Sequence, residues 1–185
     1  MMKTVRAKRH TGGHPQALSL ILVRHGPAQE REEFAKTGQA DSLRPLTPKG
    51  MERTRLASAS LAKLLGPVDY LITSPYVRAA QTADILAQSL TVQQSLKSEH
   101  LAPESDPAHQ IGWLKAAGFS GIVVVVGHEP NLSEWIAWLL CPHAPVTVEM
   151  KKGAACALHF SEGLDQSQAQ LLWLLTQPQL AALKC

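Results

Sequence analysis

The chain of 185 residues is short of cysteine, of long apolar runs and of net charge, and each shortage closes off a class of function. Cys141, Cys156 and Cys185 are odd in number and show no CxxC spacing, which supports neither a disulfide framework nor a thiolate zinc site. Reduced thiols in a cytoplasmic protein are the expectation. The run LSLILV that follows the basic leader is far below the ~20 residues needed to cross a bilayer, and the leader itself lacks the apolar region of an export signal. Neither export nor membrane insertion is expected.

The formal net charge is +3, from 18 basic and 15 acidic residues, but Lys3, Arg6, Lys8 and Arg9 all precede residue ten. The body beyond them is near neutral, so a nucleic-acid surface has little support. With 45% hydrophobic and 18% charged residues, the chain suits one soluble domain with a sizeable core. We expect a basic, disordered extension over 1–17, one domain over 18–178 and a short tail over 179–185.

What is present is an alternation of apolar strands and helices. Residues 18–23 are apolar apart from Ser19 and stop abruptly at Arg24-His25-Gly26, as a strand buried on both faces with a polar end should. Residues 27–46 are polar and read as a short solvated helix or loop. Thr47-Pro48-Lys49-Gly50 places a capping hydroxyl before a proline at the first helical position, and the apolar stripe from Met51 to Leu65 ends at Gly66-Pro67.

A strand at 69–73 and a helix opened by Ser74-Pro75 come next, then a short strand at 92–96 and a helix at 110–117 closed by Gly118. The run GIVVVVG at 121–127 is the clearest central strand. It leads into His128-Glu129-Pro130 and a helix reaching residue 140, in which Trp135 and Trp138 read as packing residues. Two strands are expected within 144–160, parted near Lys151-Lys152-Gly153, and a last one at 170–175. There is no internal repeat. This order predicts an α/β fold, a three-layer α/β/α sandwich with a mostly parallel central sheet, whose useful loops lie beyond the C-terminal strand ends.

Arg24, His25, Arg78 and His128 are the candidates for chemistry at those ends. A histidine can attack phosphorus, and arginine forks and a second histidine can bind the non-bridging oxygens and stabilise the charge that develops on them. Taken singly, each has a plain alternative: a hydrogen-bonded loop histidine, a surface salt bridge, a helix cap. Their combination at strand ends outweighs those readings.

Leu22-Val23-Arg24-His25-Gly26 resembles the RHG signature of the histidine phosphatase superfamily, whose fold is phosphoglycerate mutase-like. Ser74-Pro75-Tyr76-Val77-Arg78-Ala79-Ala80-Gln81-Thr82-Ala83 resembles its second arginine motif, and Gly127-His128-Glu129-Pro130 completes the set. The compact length and Arg44-Pro45-Leu46-Thr47 look most like the small phosphohistidine phosphatase branch named SixA. The resemblance spans roughly residues 20–178.

It implies His25 as nucleophile, Arg24, Arg78 and His128 as phosphate-binding partners, and Arg44 as an additional basic residue near the phosphate. The implied reaction is in-line attack by neutral His25, a phosphohistidine intermediate and hydrolysis by water, with no metal or cofactor. A phosphohistidine-bearing protein, in signalling or phosphotransfer control, is the implied substrate. Asp106 and Glu104 are the candidate general acids, with Glu99 and Glu129 as substitutes. A phosphoramidate leaving group can already carry a proton on its imidazole, so the uncertain acid favours phosphohistidine over an ester.

Three other readings compete. A phosphatase for small phosphate esters or other phosphoproteins would use the same pocket. A phosphate-binding module would keep it without turnover. A metal hydrolase would take His25, His128 and a carboxylate as ligands, but the spacing specifies no such site and two arginines would oppose a dication.

Overall fold

A computed structural model describes residues 17–144, 146–164 and 169–183. Residues 1–16 of the expected extension and the last two residues of the expected tail lie outside the described residues. The architecture is the expected α/β/α sandwich. Its six strands are β1 (Leu18–Arg24), β2 (Val68–Thr73), β3 (Val92–Lys97), β4 (Gly121–Gly127), β5 (Ala155–Phe160) and β6 (Gln170–Leu175). They form one sheet in the order β3-β2-β4-β1-β5-β6. The first four run parallel, and β5 is antiparallel to both β1 and β6.

The apolar run of β4 explains why it is central. Val123 and Val125 face one layer and Val124 and Val126 the other, all fully buried. Strands covered on both sides need apolar side chains at consecutive positions, and each such valine contributes about 1.5–3 kcal/mol by leaving water.

Helices α2 (Pro48–Leu65), α3 (Val77–Ala87) and α6 (Gln177–Ala182) cover one face through residues such as Leu61, Ala83 and Leu180. Helices α4 (Pro107–Ala117) and α5 (Asn131–Leu140) cover the other through Ile111, Leu114, Trp135 and Ile136. The short α1 (Arg31–Ala35) and a 3-10 turn at Asp41–Leu43 lie in the polar stretch after β1.

Local signals set the helix ends. Thr47 accepts a hydrogen bond from Gly50 N at 2.9 Å ahead of Pro48, as its sequence position required. Gly118 closes α4 with φ of 66°, a left-handed conformation that a side chain would strain.

Three expectations differ from the structure. Among the described residues the first of the two strands expected within 144–160 does not form: residues 146–154 are irregular, and Met150 within them is fully buried with its carbonyl taken by the Arg24 side chain. The tail expected from residue 179 is instead most of α6, which packs on α2 and begins at a Thr176–Gln179 capping box. Trp135 is fully buried and donates its indole N–H to Gln110, but Trp138 is 39% exposed on the outer side of α5.

No helix among the described residues is long and apolar enough to cross a membrane.

Candidate active site

After β1 the chain crosses to α2 on one face, and after β4 it enters α5 on the other. The adjacent C-terminal ends of β1 and β4 thus border the crevice where connections diverge, the place at which α/β sheets bind ligands. Arg24 pairs with Gly127 in the parallel register, so the next residues, His25 and His128, emerge side by side. Their ring centroids are 5.2 Å apart.

The backbone around His25 is held on several sides. His25 N donates to Gly127 O at 3.1 Å, and Gly153 N donates to His25 O at 3.0 Å. Gly26 N donates to Thr82 Oγ1, which in turn donates to Arg78 O one helical turn earlier. A Cβ on Gly26 would run into Thr54 Oγ1, so this turn can pack against α2 only with glycine.

The His25 ring is oriented by Gly26 O, 2.8 Å from Nδ1. A carbonyl only accepts, so Nδ1 carries the proton and Nε2 presents its lone pair. Burial, together with the charges of Arg78, Arg24 and Arg44, pulls the His25 pKa down to about 3, against a smaller opposing effect of the Gly26 hydrogen bond. The ring is therefore neutral near pH 7, as a nitrogen nucleophile must be.

Arg78 sits in the first turn of α3 and is only 2% exposed. Its Nε donates to His25 Nε2 at 3.3 Å, and one terminal nitrogen donates to Asp41 O at 3.0 Å and pairs with Asp41 Oδ2 at 3.1 Å. Arg44, also buried, donates to Asp41 Oδ1 at 2.7 Å and to Gln29 O at 2.8 Å. Burial pushes the Asp41 carboxyl up, but the Arg44 hydrogen bond and the charges of Arg78, Arg44 and Arg31 outweigh it and hold the group below its ordinary value. Arg24 reaches across to Met150 O at 2.7 Å.

His128 is 2% exposed, with Nε2 at 2.8 Å from Ser74 Oγ and Nδ1 buried without a hydrogen-bond partner among the described residues. Burial first, then His25 and Arg78, lower its pKa to about 2. The Tyr76 ring meets His128 edge-on at 5.4 Å and lies under the Arg78 guanidinium at 4.8 Å.

The structure thus brings Arg78, His25 and His128 together and ties Arg44 to Arg78 through Asp41. Arg24 stands beside His25 at the end of β1. The acid candidates fare differently. Asp106 is exposed and caps α4, accepting from His109 N at 2.9 Å. Glu104 accepts the Tyr76 phenol proton, which places it on the rim above His128. Glu99 is exposed, and Glu129 accepts from Ser133 Oγ at 2.6 Å.

Asp41, Ser74, Tyr76 and Thr82 are site residues that the sequence reading did not single out for chemistry. Ser74, Tyr76 and Thr82 fall inside the motif around Arg78, a signal that was available. Asp41 lies in a polar stretch where nothing local marks it.

Among the described residues, no cluster of three or more His, Cys, Asp or Glu side chains is placed to hold a metal ion.

The family model for the histidine phosphatase superfamily (branch 1) matches residues 20–101. An uncharacterized protein of Picosynechococcus sp. is 32% identical over 164 residues, 87% of this chain and 97% of that protein. The phosphohistidine phosphatase SixA of Escherichia coli is 29% identical over 131 residues, 68% of this chain and 75% of that protein. A solved structure of the protein histidine phosphatase SixA complexed with tungstate shares the fold, with a TM-score of 0.73, 23% identity, and coverage of 88% of this chain and 99% of that one.

The chain belongs to the histidine phosphatase superfamily. Its fold and kinship make it a phosphatase-type enzyme.

Proposed function

We propose that this chain is a metal-independent phosphatase that hydrolyses phosphohistidine on a protein substrate, through a covalent phosphohistidine on His25. The observation that carries the reading is the state of His25: neutral, with Nδ1–H committed to Gly26 O and the Nε2 lone pair facing the Arg78 guanidinium.

In the first displacement His25 Nε2 attacks phosphorus while the bond from phosphorus to the leaving nitrogen breaks, its electron pair returning to that nitrogen. Arg24, Arg78 and His128 take the equatorial oxygens, with Arg44 adding positive charge behind Arg78. Phosphoryl transfer depends mainly on such alignment and charge stabilisation. In the second displacement water attacks the phosphorus of phospho-His25, inorganic phosphate leaves, and the water proton lost in the step passes to solvent or phosphate. His25 returns to its neutral form.

The acid candidates support phosphohistidine as substrate. Asp106 is engaged as a helix cap, which leaves Glu104, held at the rim by Tyr76, as the acid on which an ester's leaving oxygen would depend. A phosphoimidazole protonated on its other nitrogen leaves as neutral imidazole and needs no proton from the enzyme, whereas an alkoxide does. The similarity to the phosphohistidine phosphatase SixA of Escherichia coli supports the same reading. A cytoplasmic place in phosphotransfer control fits this chemistry.

Quenched turnover of a phosphohistidine protein beside a simple phosphate ester tests the reading, with His25→Ala as control. We expect labelled phosphate trapped on the parent alone and faster loss from phosphohistidine. Equal activity in the control removes His25 as nucleophile, and rapid turnover of the ester alone overturns the substrate.

A further inference from the structure

We propose that Ser74 is a positioning residue: its hydroxyl donates to His128 Nε2 and so holds His128 as the neutral tautomer that carries its proton on Nδ1, as a donor for a phosphoryl oxygen. This rests on the reading of the histidine pair as a phosphoryl site.

Ser74 is fully buried at the end of β2, where its N–H donates to Val126 O at 3.1 Å. This bond locks Ser74 beside the same strand end from which His128 emerges. Its Oγ accepts from Tyr76 N at 3.3 Å and lies 2.8 Å from His128 Nε2. A hydroxyl has one proton and two lone pairs. With one lone pair taken by Tyr76 N–H, the remaining proton has His128 Nε2 as its acceptor.

The opposite assignment fits less well. If His128 donated from Nε2, Ser74 Oγ would receive two N–H groups and its own proton would have no acceptor among the described residues. His128 Nδ1 would then be a bare lone pair, buried and without a partner among the described residues. Such a lone pair repels a phosphoryl oxygen, whereas an N–H there gains the acceptor it lacks in the free protein.

Protonation offers no substitute. Burial beside His25, Arg78 and Arg24, opposed only by Asp41, keeps the His128 ring neutral far below pH 7. A neutral imidazole has a single N–H, so the nitrogen that carries it decides whether His128 helps or hinders an anion. Ser74 makes that choice through the other nitrogen. The same hydroxyl links the choice to Tyr76, whose backbone N–H it accepts and whose ring packs on His128.

The test uses the full chain with 15N-labelled histidine and long-range proton–nitrogen spectra at neutral pH, with and without saturating inorganic phosphate. We expect His128 neutral with its proton on Nδ1 in both states. Ser74→Ala moves the proton wholly or partly to Nε2 and weakens inorganic phosphate binding at least tenfold, while Ser74→Thr keeps the parent tautomer and affinity. A proton on Nε2 in the parent overturns the proposal, as does a folded Ser74→Ala variant that keeps both the tautomer and the affinity. The parent spectrum and Ser74→Thr decide the matter even if Ser74→Ala fails to fold. The two readings fail separately: a chain with the expected tautomer behaviour that never forms phospho-His25 loses the hydrolase reading and keeps the role of Ser74.

Discussion

Arg78 Nε points at His25 Nε2 across 3.3 Å, so the guanidinium that would bind the phosphoryl group also holds the nitrogen that would attack it. Asp41 takes another edge of the same guanidinium, at 3.0 and 3.1 Å. Only a planar fork serves these partners at once, since a lysine ammonium is a single point of charge on a flexible stem. Arg78→Lys is therefore expected to keep the fold and lose about 10²-fold or more in kcat, the cost of removing one preorganised donor. Parallel thermal melts and single-turnover rates check this, and a loss under threefold would show that the fork is not needed.

Asp41 bridges Arg44 and Arg78 and, among the described residues, is the one carboxylate paired with both. It orients the two guanidinium groups, yet its charge opposes an incoming phosphate. Asp41→Asn should then separate two effects. Stability falls by about 1–2 kcal/mol as charge-assisted bonds are lost, and kcat falls about tenfold as Arg78 loses its anchor. Inhibition by inorganic phosphate tightens, because one negative charge has left the pocket. Urea unfolding, initial rates and product inhibition measure the three, and weaker inhibition would mean that orientation outweighs charge.

Much of this site was legible in the sequence because strands buried on both faces advertise themselves. LSLILV and GIVVVVG mark β1 and β4, and the first polar residues after each belong to the site. Asp41 was not legible, since its role depends on Arg44 three residues on and Arg78 brought from another helix. The stretch before β5 misled for a similar reason. Val146, Val148 and Met150 alternate as a strand would, but Met150 is drawn into the core and its carbonyl serves Arg24. Helix α6 was missed because a helix of six residues carries too little periodic pattern, although Thr176, Pro178 and Gln179 held its capping signal.

The two buried histidines also set a pH dependence. Their pKa values in the folded chain are about 3 and about 2, against about 6.5 for an unfolded histidine. As pH falls through 6.5 the unfolded chain takes up protons that the folded one refuses. The stability due to neutral His25 and His128 is thus complete above about pH 6.5 and is lost below it, by up to about 1.4 kcal/mol per pH unit for each ring. Asp41 acts in the same direction but only at lower pH, while the Glu129 carboxyl, raised by burial, opposes the slope. Over the window from about pH 4.5 to 6.5 it is therefore the difference between the parent and His25→Asn, in which both carboxyl contributions cancel, that isolates His25. Urea unfolding across that window should show a steep slope, reduced by about half in His25→Asn. An unchanged slope in the variant would mean that His25 is not held neutral by the fold.

Glu104 distinguishes the substrates. Burial and the hydrogen bond to Glu104 raise the Tyr76 phenol to about 12, so it remains a donor through the working pH range and keeps the carboxylate on the rim. An ester needs a proton at its leaving oxygen, and Glu104 is the acidic group tied to the wall of the pocket. A phosphoimidazole carries its own proton. Glu104→Gln should therefore leave phosphohistidine turnover within about twofold and reduce turnover of an alkyl phosphate by about 10²-fold, the usual span for a general acid. Tyr76→Phe should follow with a smaller ester defect, since the carboxylate survives but loses its tether. Paired initial rates on the two substrates measure the split, which cancels any shared loss of phosphate binding. A similar loss on both would mean that Glu104 acts on the phosphoryl group or on pocket structure rather than on the leaving group.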